Sequence, residues 1–284
     1  MTKHYIITTT NYNPTYYTFL PTAYNMWKKY FPNSVFVLGF VGTLPENDEF
    51  VTKLKKYCDE FHYFKTIEGV TEGCQAKTTR MWLASTYEDN VCTVVDIDLY
   101  ILKPEWLRNN IKPAFTDNKF VSIGGNGYIG TSAEGKFPMY YTTATSKIWK
   151  KIINYQNYNY EKWFNHISNL PNPVDNAENP RNPFNKFSDE SLLRYFVVRH
   201  PEQEWMNNIH LKVVRKNYRM GFNPPRRLDR SWWPRDCNTS NIDHVKQHDY
   251  IDCFPVRPYS QNVHRLMPVL RYIGLSDDIS NIKL

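Results

Sequence analysis

The first hundred residues alternate short apolar, β-rich runs with stretches whose apolar residues recur at helical spacing. Runs over 5–10, 34–41, 61–67 and 90–96 read as strands, bounded by polar or turn-forming residues. Between them, Tyr16, Phe19, Leu20, Ala23, Met26 and Trp27 share one side of a helix predicted over 15–30. Val51, Leu54 and Cys58 repeat at the same spacing over 50–60, and Ala76, Met81, Leu83 and Ala84 give 75–87 an apolar face. Strands and helices in this alternation predict βαβ units and a mostly parallel sheet. The fourth run is apolar on both faces until Asp96, so it is expected near the middle of that sheet.

Beyond residue 120 the pattern changes. FVSIGGNGYIG reads as a strand entering a Gly-rich turn, and FPMYYTTAT as another strand before a helix over 145–155. The stretch 170–185, with Pro171, Pro173, Pro180 and Pro183, reads as a long surface loop. A helix over 189–198 follows with Ser188 as its N-cap, and an amphipathic helix over 262–273 closes the chain. With no internal repeat and no clear linker, 1–284 is expected to form one domain. Its halves are 1–125, the ligand-binding part, and 126–284, a more irregular part.

The composition narrows this picture in three ways. A length of 284 residues with 41% hydrophobic and 16% aromatic residues is enough to bury a sizeable core. A formal charge of +7 suits partners carrying phosphate. The five cysteines are odd in number and scattered without a CxxC pair, which predicts reduced thiols rather than disulfides or a zinc site. No run reaches the length of a membrane span, and the N-terminus has no apolar leader segment. The expected location is the cytoplasm, with peripheral contact to a membrane left open.

Asp96-Ile97-Asp98 is where chemistry concentrates. Two carboxylates two residues apart on an extended strand point to one face, and the carboxyl ends of central strands are where open α/β sheets bind ligands. Apolar neighbours on both sides make unneutralised charge expensive there. A hard divalent cation, Mn²⁺ or Mg²⁺, with oxygen ligands and substrate phosphates would remove that cost. A pair of solvated acids at a strand end is the simpler alternative.

Two segments carry a family resemblance. QAKTTRMWLASTYEDNVCTVVDIDLYILKP resembles the Lys-bearing helix and DxD-terminated strand of the glycogenin-like and lipopolysaccharide-galactosyltransferase-like GT-A glycosyltransferases. ITTTNYNPTYYTFLPTAYNMWKKYFP resembles the same enzymes' first strand and helix. Together they cover roughly the first third of the chain, in order and at the right spacing. The resemblance implies an α/β GT-A fold: a Rossmann-like, mixed but mostly parallel central sheet flanked by helices, with an irregular C-terminal acceptor-side region. It implies sugar transfer from a nucleoside-diphosphate sugar, with UDP the expected nucleotide, to a glycan or other hydroxyl acceptor.

Residue by residue, the resemblance makes Asp96 and Asp98 metal ligands, with Asp96 also near the sugar and ribose. Lys77 and Arg80 would lie against donor phosphates or sugar, and Thr8, Thr9, Thr10 and Tyr16 would line the base and ribose pocket. Ordinary β-propensity explains the threonines equally well. Asp189 and Glu190, opening a helix, would face the acceptor or donor sugar, although the macrodipole favours acids there without any catalysis. The family's third metal ligand is a late His in a motif that this chain lacks. His248 is the expected stand-in, then His264, with Asp252 as a substitute and Arg257-Pro258-Tyr259 as a loose analogue of the following turn. The cluster Arg226, Arg227, Arg230, Trp232 and Trp233 suits either acceptor contact or packing.

An inverting transfer would use Asp189 as base, whereas a retaining transfer needs none. Two other classes compete with this reading. Phosphohydrolases with an aspartyl nucleophile place their DxD on the first strand before a Gly-Thr turn, whereas here Leu99-Tyr100 follow the fourth. A nucleic-acid-binding protein would carry striped basic residues or a recognition motif, and neither is present. Nucleic acid is therefore not an expected partner.

Overall fold

The computed structural model describes residues 2–123, 137–170, 189–199, 211–214, 227–228 and 250–275. In chain order the elements begin with β1 (His4–Asn11), α1 (Pro14–Tyr17), α2 (Leu20–Tyr30), β2 (Val35–Gly42) and α3 (Glu49–Leu54). β3 (Glu60–Lys65), α4 (Glu72–Ala84), β4 (Val91–Val94), β5 (Tyr100–Ile101) and α5 (Pro104–Thr116) come next. β6 (Phe120–Ile123), β7 (Thr142–Thr145), α6 (Ser146–Ile153), α7 (Tyr160–Ser168) and α8 (Asp189–Arg199) follow. The last described elements are β8 (Leu211–Val214), β9 (Arg227–Leu228), β10 (Asp252–Cys253) and α9 (Tyr259–Tyr272).

The main sheet has seven strands in the order β3-β2-β1-β4-β7-β6-β8. The first four are mutually parallel, β7 runs against both β4 and β6, and β8 is parallel to β6. This is the mixed, mostly parallel α/β sheet that the alternating pattern predicts. A small second sheet joins β5, β10 and β9.

Strand alternation divides the core into two layers. From β1, Ile6 packs with Phe36, Leu38, Met26 and Trp27 on one face of the sheet. Tyr5 and Ile7 pack on the other face with Val37, Met81, Leu83, Trp149 and Trp163. Helices α2, α5 and α9 cover the first layer, and α4, α6, α7 and α8 the second. Both faces being covered explains why β2 and β4 read as near-continuous apolar runs.

Several element bounds differ from the sequence pattern for identifiable reasons. The helix expected over 15–30 is broken into α1 and α2. Pro21 has no N–H to donate to the Tyr17 carbonyl, so the chain restarts with Pro21 in the first turn of α2. The helix expected over 50–60 ends at Leu54 in a 3₁₀ turn, Lys55–Tyr57. Beyond that turn, Asp59 is held against β2, its N–H donating to the Phe36 carbonyl (2.8 Å) and its carboxylate accepting from the Phe36 N–H (2.8 Å). Residues 137–141 are not part of a strand, and β7 begins only at Thr142. Helices α5 and α7 have no counterpart in the pattern analysis.

The strand expected over 90–96 is shorter, and the difference matters for function. β4 ends at Val94, the Val95 N–H makes a last bond to the Ile7 carbonyl (3.0 Å), and 96–99 form a turn. Asp96 and Asp98 therefore stand in a turn beyond the strand rather than on one face of it. No helix among the described residues is long and apolar enough to cross a membrane.

Candidate functional site

A cleft of about 440 Å³ opens where the parallel strands end. Its walls are the carboxyl end of β1 (Thr9, Thr10, Asn11), the following turn and helix (Asn13, Tyr16), one side of α4 (Gly73, Ala76, Lys77, Arg80), the turn after β4 (Asp96–Asp98), the start of α8 (Asp189, Glu190) and Arg257. These positions converge because β1 and β4 are neighbouring central strands that end side by side. Gly39 contributes indirectly: it faces Thr9 across the β1/β2 ladder, and a Cβ there would come within 2.8 Å of the Thr9 methyl. The glycine leaves room for Thr9, whose hydroxyl donates to the Ala76 carbonyl and ties β1 to α4.

Two arginines organise the acids. Arg80 is buried on α4, and its Nη1 donates to the Val95 carbonyl (2.8 Å) and to Asp96 Oδ1 (2.5 Å). Its Nη2 bonds Asp189 Oδ2, and its Nε donates to the Lys77 carbonyl (3.2 Å). Burial alone would favour neutral Arg80, but the Asp189 and Asp96 carboxylates outweigh it and raise its pKa, so the charge is permanent. One guanidinium thus fixes the turn after β4 to the first residue of α8.

Arg257 forms the second anchor. Its Nε and Nη2 both bond Asp98 Oδ2. Its Nη1 donates to the Tyr16 hydroxyl (3.1 Å), and its guanidinium lies over the Tyr16 ring, 4.4 Å from the centroid. Asp98 is buried, whereas a quarter of the Asp96 side chain remains exposed. The cleft walls carry four acidic side chains and three cationic ones, so the wall charges nearly cancel.

The expected site residues separate accordingly. Thr9, Thr10, Tyr16, Lys77, Arg80, Asp96, Asp98, Asp189 and Glu190 all line the cleft. Thr8 does not: it lies deeper on β1 and is buried within the fold. His264 is exposed on α9 and is absent from the cleft walls, and Asp252 is buried in β10. His248 and Ser188, with the side chains of Arg226, Arg227, Arg230, Trp232 and Trp233, fall outside the described residues. Among the described residues no cluster of three or more His, Cys, Asp or Glu could hold a metal.

Pattern reasoning did not assign Asn11, Asn13 or Gly73 to the site, although the asparagines directly follow the Thr8–Thr10 run. It marked Arg257 only as part of a turn. A pairing between residues 159 positions apart leaves no local signal.

No family model matches the chain, and no curated protein does. Solved structures do resemble it at low identity. An active-site variant of LgtC shares 11% identity over 98% of this chain and 97% of that one, with a TM-score of 0.49. The galactosyltransferase LgtC in complex with donor and acceptor sugar analogues shares 10% over 98% and 97%, with a TM-score of 0.45. The glycosyltransferase GlyE of Streptococcus pneumoniae TIGR4 shares 12% over 99% of this chain and 63% of that one, with a TM-score of 0.43.

Proposed function

We propose that this chain is a GT-A glycosyltransferase that moves a sugar from a nucleoside-diphosphate sugar, with UDP the favoured nucleotide, to a hydroxyl on a glycan or related acceptor. The observation that carries this reading is the meeting of Asp96 and Asp98 with Lys77, Arg80, Asp189 and the end of β1 in one cleft. That cleft lies at the carboxyl ends of β1 and β4, where open α/β sheets bind nucleotides.

The donor set suits a hard divalent cation in kind, since both aspartates offer carboxylate oxygens to the cleft. Mn²⁺ or Mg²⁺ would be held by Asp96 and Asp98, and once bound it would act as a Lewis acid that neutralises the departing diphosphate. The chain's own residues do the rest. Lys77 is exposed on the cleft wall and would place its ammonium against phosphate oxygens as charge builds on the leaving group. Thr10, Asn11 and Asn13 present hydroxyl and amide groups that suit a ribose and base.

Arg80 has a different role from the direct donor contact expected of it. Four of its five N–H groups bond protein acceptors, so it holds Asp96 and Asp189 side by side in fixed positions at the cleft. Asp189 is correspondingly a fixed wall group, and Glu190 beside it lines the same cleft. Retention and inversion both remain compatible with this arrangement.

A thermal-shift panel of nucleotide sugars with and without Mn²⁺ tests the reading. A donor at about 100 times its dissociation constant adds about 2.7 kcal/mol of apparent stability by mass action. One donor is expected to raise the melting temperature in a Mn²⁺-dependent way, and Asp98→Ala should abolish the rise. A folded Asp98→Ala protein with an unchanged shift would reject the site.

A further inference from the structure

The geometry points to Arg257 as a built-in competitor for the cation: its guanidinium bonds Asp98, and a divalent ion gains that carboxylate oxygen only when the guanidinium withdraws. The inference rests on the reading of Asp96 and Asp98 as a metal site. It concerns what the ion must displace, which the expected ligand set leaves out.

Three observations carry it. Two N–H groups of Arg257 converge on a single Asp98 oxygen, so the fork is spent on the carboxylate that the ion would need. Asp98 is buried, with 3% of its side chain exposed, so removing the Arg257 charge without a replacement is costly. Arg257 is the more exposed arginine: 24% of its side chain is exposed, against 7% for Arg80. Its other contacts are one hydrogen bond and one ring contact with the half-buried Tyr16.

The electrostatics make the exchange steep. A guanidinium and a dication on the same oxygen of a buried carboxylate repel strongly at such short range. Mn²⁺ should therefore bind the nucleotide-free protein weakly. Anything that draws Arg257 away from Asp98, an anionic ligand in the cleft above all, should tighten it. Arg80 is less free to exchange, because it is buried and bonds two carboxylates at once.

The test is Mn²⁺ binding to the full-length, nucleotide-free protein, read from the electron paramagnetic resonance of free Mn²⁺. Arg257→Gln is expected to tighten Mn²⁺ by about tenfold or more, since it removes a charge in contact with the ligand. Lys77→Gln removes a charge from the exposed wall of the same cleft and should change it by less than about threefold, through screening. Arg257→Lys keeps the charge but loses the fork, and serves if the glutamine variant does not fold; its tightening should be intermediate. Unchanged or weaker binding in the folded Arg257 variants, or equal tightening by Lys77→Gln, overturns the inference. Asp98→Asn separates the two levels of the argument. If it leaves Mn²⁺ binding intact, the metal reading itself fails; if it abolishes binding while the Arg257 variants match wild type, only the competition fails.

Discussion

The α4 side of the cleft and the Arg257 side solve one electrostatic problem in two ways. On the α4 side, Arg80 is buried, bonded to two carboxylates and two carbonyls, and locked in place by the helix that carries it. On the other, Arg257 is partly exposed, bonded to one carboxylate, and leans on a tyrosine. Breaking one partner of a buried pair leaves the other charge stranded, which is costly however little the pair itself contributes. The contrast therefore teaches that Arg80 is part of the framework, whereas Arg257 is placed where a ligand can take over its work.

The largest expected effect comes from attacking the framework. Arg80→Ala strands Asp96 and Asp189 and should cost about 3–5 kcal/mol of folding stability, read by chemical denaturation. Added Mn²⁺ should not restore it, since Asp189 is not among the expected metal ligands. Arg257→Gln should cost less, about 1–3 kcal/mol for the lost partner of Asp98, and millimolar Mn²⁺ should recover most of that loss. Equal costs in the two variants, or equal rescue, would erase the distinction between strut and exchangeable counter-ion. Lys77→Ala is the smallest perturbation: it should shift stability by no more than about 0.5 kcal/mol while weakening nucleotide-sugar binding in calorimetry. A Lys77→Ala protein that binds donor as wild type does would remove Lys77 from the phosphate contact.

The same contrast marks how much was legible in the sequence. Features that depend on near neighbours were readable: strands β1 to β3 and helix α4 follow from local periodicity. Where an isolated residue decided the outcome, the pattern overran it, as at Pro21, which splits one expected helix, and at Asp59, which turns the end of another into strand. The turn beyond Val94 belongs with these, because a run of apolar residues does not say where the ladder stops. Non-local pairings left no trace in the pattern. The antiparallel insertion of β7 beside β4, the small sheet of β5, β10 and β9, and the contact of Arg257 with Asp98 each join segments far apart in the chain.

Thr8 and His264 fall short for related reasons. A run of three threonines gives no indication of which one faces the cleft, and the strand end admits Thr9 and Thr10 but buries Thr8. A histidine near the end of a chain offers only its type, and α9 turns His264 to solvent.

The turn carrying Asp96 and Asp98 is the proposed seat of nucleotide-sugar chemistry. Release of nucleoside diphosphate from a panel of nucleotide sugars, measured with Mn²⁺ present and after chelation, tests it most directly. Wild type should release diphosphate from one donor only with the metal, and Asp98→Ala, folded by its melting curve, should lose at least about a hundredfold of that rate. Release that persists at the wild-type rate in the folded Asp98→Ala protein would contradict the claim.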